Sequence, residues 1–114
     1  MIPDVFRSRS FLDLAHEMQT CRILIPGICT GYVPGGLEPV HGDFQWLGRG
    51  IGHKSADIFA AGCHSCGQAM HTGRLTREEK ADYWQRGAIL TMAFLLENGW
   101  LVIAPKSQRM ASHR

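Results

Sequence analysis

The chain has no apolar run long enough to cross a membrane. Its longest candidate, residues 88–96, is about half the roughly 18 residues a span requires, and reads as a buried helix face. The first ten residues lack the apolar centre of a secretory leader and carry Asp4, Arg7 and Arg9. Export is therefore not expected, and the cytoplasm is the expected compartment. There is no internal repeat and no low-complexity stretch. An excess of either charge is lacking too: the net charge is +2 and the pI about 8.5, too mild to demand a nucleic-acid partner yet not opposed to one. With 114 residues, 45% of them hydrophobic, the chain suits one small domain with a modest core that a metal clip would help.

What is present is four cysteines. Without a leader to an oxidising compartment they read as metal ligands or free thiols rather than a disulfide framework. Cys63 and Cys66 form a Cys-x-x-Cys pair, which brings two thiolates to one ion from a single tight turn. Zinc prefers four such ligands in a tetrahedron. Cys21 and Cys29 can supply the second pair, because Pro26-Gly27 folds the segment between them back on itself. The alternatives are buried free thiols or a redox pair, and no βαβ pattern supports the latter. A structural zinc ion held by Cys21, Cys29, Cys63 and Cys66 is the expectation. His64 then reads as a surface residue or a neighbour of the site, since four thiolates complete the shell.

The coarse organisation is α+β. Residues 11–18 suit a short helix capped by Ser10, and residues 21–25 a strand. Residues 32–39 form a Pro/Gly-rich loop, and residues 40–46 a short strand with His41 near its start. Residues 48–54 are a basic, glycine-rich loop, followed by an apolar run at 58–61 and a helix starting near Cys66 that Gly73 ends. Thr76 and Glu79 make a capping box for a long helix, whose apolar stripe is Ala81, Trp84, Ala88, Met92 and Leu95. Its opposite side, with Arg77, Glu78, Asp82 and Arg86, reads as solvated. Asn98-Gly99 stops it, and residues 100–104 suit a final strand. The implied division is an extension at 1–10, a domain at 11–104 and a polar tail at 105–114.

Six histidines raise the prospect of a second, catalytic metal site. His41 can act as a general base on water, and His53, Asp57 and His71 can hold a divalent ion that stabilises a phosphoryl transition state. For any one histidine alone the plainer role is a solvated or capping residue. Residues 48–54 can cradle a phosphate with backbone amides, aided by Arg49 and Lys54, although the Gly-Lys-Ser/Thr ending of a P-loop is absent. Tyr32, Phe44 and Trp46 can stack on bases or simply fill the core.

Taken together, the cysteine pairs, the His41 segment and the run Gly-Arg-Gly-Ile-Gly-His-Lys-Ser-Ala-Asp57 resemble small phage and prophage proteins of the HNH, or ββα-metal, nuclease class. The resemblance spans roughly residues 12–104. It implies a zinc-braced core in which a β-hairpin packs on a helix, with an N-terminal helix and a long C-terminal helix. It also implies metal-dependent hydrolysis of DNA phosphodiesters in a bacterial cytoplasm. His41 matches the general base, His71 a helical ligand to a catalytic Mg²⁺ or Mn²⁺, and Lys54 and Asp57 the polar loop that contacts phosphate or orients the site. Arg49, Lys54 and Arg74 would hold phosphates without reading sequence. One position departs from the pattern: Gly67 stands where the family carries a metal-binding histidine, leaving His64, His53 or Asp43 to compensate. The second expectation follows from that glycine. It is a catalytically degenerate zinc module that binds DNA or a protein partner, as a recombination accessory or a counter-defence (anti-CRISPR-type) inhibitor.

Overall fold

The computed structural model describes residues 7–42 and 57–104. Helix α1 (Arg9–Asp13) runs into a 3-10 turn at Leu14–Glu17. Strand β1 (Glu38–His41) pairs antiparallel with β2 (Phe59–Gly62), in a register that sets Glu38 opposite Gly62 and His41 opposite Phe59. Helix α2 (His64–Ala69) follows β2 directly, and α3 (Arg77–Glu97) closes the described fold. The result is a small α+β unit with the order β1-β2-α2 at its centre. No helix among the described residues is long and apolar enough to cross a membrane.

Strand β2 is the hub of the core. All four of its residues are buried, with α3 packed on it. Small side chains make this possible: a Cβ on Gly87 would lie 3.1 Å from Ile23 Cγ1 and 3.2 Å from both Ala60 Cβ and the Arg22 carbonyl oxygen. The helix therefore approaches as closely as a missing side chain permits. Thr91 completes the seam, accepting from the Ala61 N–H at 2.9 Å while donating to the Gly87 carbonyl at 2.7 Å.

Ala61 also explains how a proline sits in β1. Its register partner is Pro39, which has no N–H to give. The Ala61 N–H goes to Thr91 and its carbonyl accepts from the Arg22 N–H at 2.9 Å, so both of its polar groups are turned away from the proline. The proline therefore leaves neither polar group of Ala61 without a partner.

The strand expected at 21–25 is replaced by a shorter extended piece. Burial alternates as in a strand, with Cys21, Ile23 and Ile25 inside and Leu24 outside, but Leu24 has φ 57° and breaks the run. The chain then turns at Pro26-Gly27, Gly27 taking φ 77°, and the N–H groups of Ile28 and Cys29 both donate to the Ile25 carbonyl. An isolated bridge between Thr20 and Tyr32 closes this loop.

Several boundaries also shift. The first helix begins at Arg9 because Ser8, not Ser10, caps it, its hydroxyl accepting from the Phe11 N–H at 3.1 Å. Strand β1 begins at Glu38 and ends at His41, whereas the sequence suggested 40–46; residues 43–46 lie outside the described residues. Helix α2 starts at His64 because the Cys63 thiol caps it, and it ends at Ala69, before Gly73. The long helix has its capping box as expected, with the Thr76 N–H donating to Glu79 Oε1 at 2.8 Å and the Glu79 N–H to Thr76 Oγ1 at 3.1 Å. Of its expected stripe Trp84 and Leu95 are fully buried; Gly87 and Thr91 share that burial. Residues 100–104 form no strand: the N–H groups of Trp100 and Leu101 double back to the Leu95 carbonyl, and Val102 and Ile103 are exposed.

Candidate functional site

The loop at 21–31 and the β2–α2 junction bring all four cysteines together. Their sulfur atoms lie within 4.8 Å of one another; Cys21, Cys63 and Cys66 are buried and Cys29 is half-buried. Backbone amides converge on the sulfurs. Gly31 N–H donates to Cys29 at 3.2 Å, Cys63 N–H to Cys21 at 3.3 Å, Cys66 N–H to Cys63 at 3.4 Å and Thr30 N–H to Cys63 at 3.5 Å. Such donors stabilise thiolates over thiols. At Cys63 burial pushes the thiol up, but the donors from Thr30 and Cys66 outweigh it and bring the group down to about 6. At Cys66 burial, joined by the charges of Cys21 and Cys63, drives the thiol well up. Burial and Cys21 raise Cys29 in the same way. One thiolate is favoured and its neighbours resist ionising beside it. The group can hold a metal ion.

The second feature is a cleft of about 250 Å³ lined by His41, Gly42, Met70, His71, Arg77, Lys80 and Trp84. His41 comes from the end of β1, Met70 and His71 from the turn after α2, and Arg77, Lys80 and Trp84 from the first two turns of α3. The indole N–H of Trp84 donates to the Val40 carbonyl at 2.8 Å, fixing the end of β1 against α3. Among the described residues, the charged groups of the lining are cationic or imidazole, with no carboxylate. Glu79, nearby in sequence, spends its side chain on the helix cap.

His41 is partnered. Its Nε2 lies 3.1 Å from Asp57 Oδ1, and the two side chains are 33% and 16% exposed. Asp57 Oδ2 accepts from the Ser8 N–H at 2.9 Å, and Arg7 approaches Oδ1 at 3.8 Å. Burial raises the Asp57 carboxyl, but the Ser8 N–H, His41 and Arg7 together hold it below its ordinary value. An ionised carboxylate only accepts, so the His41 Nε2 carries the hydrogen of this bond, and the neutral imidazole has its lone pair on Nδ1.

The fold thus brings His41 to Asp57 and places His41 and His71 on one cleft. His71, however, is not on a helix: α2 ends two residues earlier, and His71 is exposed in the turn that follows. Arg74 is exposed and absent from the cleft lining. Arg49, Lys54, Asp43 and His53 lie outside the described residues, as do Phe44 and Trp46. His64 pairs with Glu38, Nδ1 to Oε2 at 3.0 Å, on the exposed surface. A Cβ on Gly67 would meet Val40 Cγ2 at 3.4 Å and Glu38 Oε1 at 3.6 Å, so that position faces the Glu38 side of β1 and not His41.

Arg77 and Lys80 were expected on a solvated helix face or not at all. Their spacing held the signal, since positions 77, 80 and 84 share one face of a helix and extend the Trp84 stripe backward. The partnership of Asp57 with residues 7 and 8 had none, being a contact between distant parts of the chain. No protein-family model, curated protein or solved structure matches this chain.

Proposed function

We propose that the chain is a zinc-braced nucleic-acid-binding domain that hydrolyses DNA phosphodiesters, with His41 as the general base. The observation that carries the reading is the His41–Asp57 pair set into a cleft whose other charged side chains are Arg77 and Lys80. Zinc suits the cysteine cluster: four sulfurs about 2.3 Å from one tetrahedral ion would stand about 3.8 Å apart, inside the observed 4.8 Å limit. Arg77 and Lys80 compensate the charge of a phosphate entering the cleft. His41 Nδ1 takes a proton from the attacking water as its oxygen bonds to phosphorus, and Asp57 supports the imidazolium so formed. The bond to the leaving sugar oxygen breaks, and that oxygen takes a proton from solvent.

Mg²⁺ and Mn²⁺ are bound mainly through oxygen ligands, whereas the described lining of the cleft offers two imidazoles and two cations. The described residues do not fit such an ion, and no step of the proposed reaction runs through it. That mismatch, with Gly67 facing Glu38, favours a second reading: a module that binds DNA through the same cleft without cleaving it. A protein partner is the remaining alternative.

Plasmid incubated with the purified chain, with and without magnesium, manganese or nickel, and beside a His41→Ala control, tests the proposal. Nicking that His41→Ala abolishes supports hydrolysis. Salt-sensitive binding without nicking overturns hydrolysis in favour of the binding module. Absence of binding overturns both and points to a protein partner.

A further inference from the structure

Asp57 is held from two sides, and only one of them is His41. The segment before α1 crosses to it from the far end of the sequence: the Ser8 N–H reaches Oδ2 at 2.9 Å while the Arg7 guanidinium stands 3.8 Å from Oδ1, the same oxygen that receives His41. Ser8 is fixed in turn, because its hydroxyl caps α1 through the Phe11 N–H, and the Phe11 ring packs edge-on against Phe59 at 5.1 Å. Phe59 is the register partner of His41. The chain thus closes a circuit from β1 through Asp57, Ser8 and Phe11 to β2 and back to β1.

The geometry points to Arg7 and Ser8 as positioning residues of the site: they lock the Asp57 carboxylate in the orientation that holds the His41 Nε2–H. The sequence assigned these residues to an extension outside the domain. A carboxylate with a single partner swings about its Cβ–Cγ bond; one whose second oxygen is tied to a backbone amide does not. Both donors also favour the ionised form, so Asp57 stays an acceptor. Among the described residues, the groups facing this carboxylate are His41 from β1 and Arg7 and the Ser8 amide from the segment before α1. The role of His41 as a base rests on the reading above, but the clamp itself is tested without any substrate.

The test is NMR on the full-length, zinc-loaded chain with labelled histidine, His41→Ala providing the assignment. A solvent-exchanging imidazole N–H is invisible, whereas one held by a fixed carboxylate gives an observable signal. The His41 Nε2–H signal is expected in the wild type and in Ser8→Ala, which keeps the backbone amide while losing the helix cap. Arg7→Met is expected to weaken it, and Ser8→Pro, which has no N–H, to abolish it. The Asp57 carboxyl titration is expected to move upward in both. Unchanged signal and titration in Arg7→Met and Ser8→Pro, with zinc retained, would overturn the clamp. So would loss of the signal in Ser8→Ala, because the cap and not the amide would then be responsible. Failure of Ser8→Pro to fold leaves Arg7→Met and Ser8→Ala to decide. Absence of nuclease activity in every variant would count against the proposed reaction and leave the clamp standing.

Discussion

The Thr91 hydroxyl stands between α3 and β2, taking the Ala61 N–H at 2.9 Å and passing its own hydrogen to the Gly87 carbonyl. It serves an amide that points away from β1, on the side of β2 where the described two-stranded sheet has no further strand. Thr91→Val keeps the shape and removes the acceptor. The buried Ala61 N–H is then orphaned, at a cost of about 1–3 kcal/mol. Urea unfolding followed by tryptophan fluorescence checks this, and Thr91→Ser is expected to retain most of the stability.

Two buried glycines should respond in opposite directions to alanine. At Gly87 the new methyl meets Ala60 and the Arg22 carbonyl at 3.2 Å, and neither can swing aside. Gly87→Ala is expected to destabilise by about 1 kcal/mol or more, despite the better helix former. At Gly67 the nearest atom is 3.4 Å away, an ordinary contact. Gly67→Ala is expected to leave stability unchanged or raise it by up to about 1 kcal/mol. Paired thermal melts decide both.

Removing the metal should unfold the centre of the molecule. Elemental analysis is expected to find about one zinc per chain, and a strong chelator or Cys63→Ser to lower stability by several kcal/mol, because binding energy at such a site is folding energy. A metal-free chain with an unchanged melt would contradict it.

Asp57 gives the fold an acid limit. Its carboxyl titrates below the ordinary value in the folded state, so the unfolded chain binds the proton more readily as pH falls. The contribution is complete above the unfolded value, near pH 4, and drains away as pH falls through the lower folded value. Urea midpoints measured from pH 2 to 7 should therefore drop less steeply in acid for Asp57→Asn than for the wild type.

The cleft cations carry the proposed affinity for DNA. Replacing Arg77 and Lys80 with glutamine should weaken binding and flatten its salt dependence by about two phosphate contacts, close to 0.9 in logarithmic slope for each. Arg74→Gln, outside the cleft, should change it little. Binding titrations from low to moderate salt distinguish the two sites.

The parts of the fold legible in the sequence were those set by local chemistry. The Thr76–Glu79 capping box, the stop at Asn98-Gly99 and the Trp84–Leu95 spacing are all written within a turn or two of the residues they control. The cysteine cluster was legible too, because few arrangements bring two such pairs together around Pro26-Gly27. Elements set by distant neighbours were not. The extended segment at 21–25 has strand-like alternation, yet Leu24 in a left-handed conformation ends it, just before the turn that carries Cys29 toward the cluster. Residues 100–104 have the composition of a strand but no described neighbour to pair with. At the site, His41 and Asp57 were named separately, and their direct contact became visible only through the β1–β2 register that brings Phe59 opposite His41.

The two cysteine pairs bracket everything of chemical interest near β1. Cys29 and Cys63 close a long loop, and both His41 and Asp57 ride on it. An ion bound by the cluster therefore shortens the tether between base and carboxylate as well as joining elements of the core. Without the ion that loop is open, and the two side chains lose one of the constraints that keep them together. The clip therefore serves the site as well as the core, and a chelator should disrupt the His41–Asp57 pair at the same concentration at which the core melts.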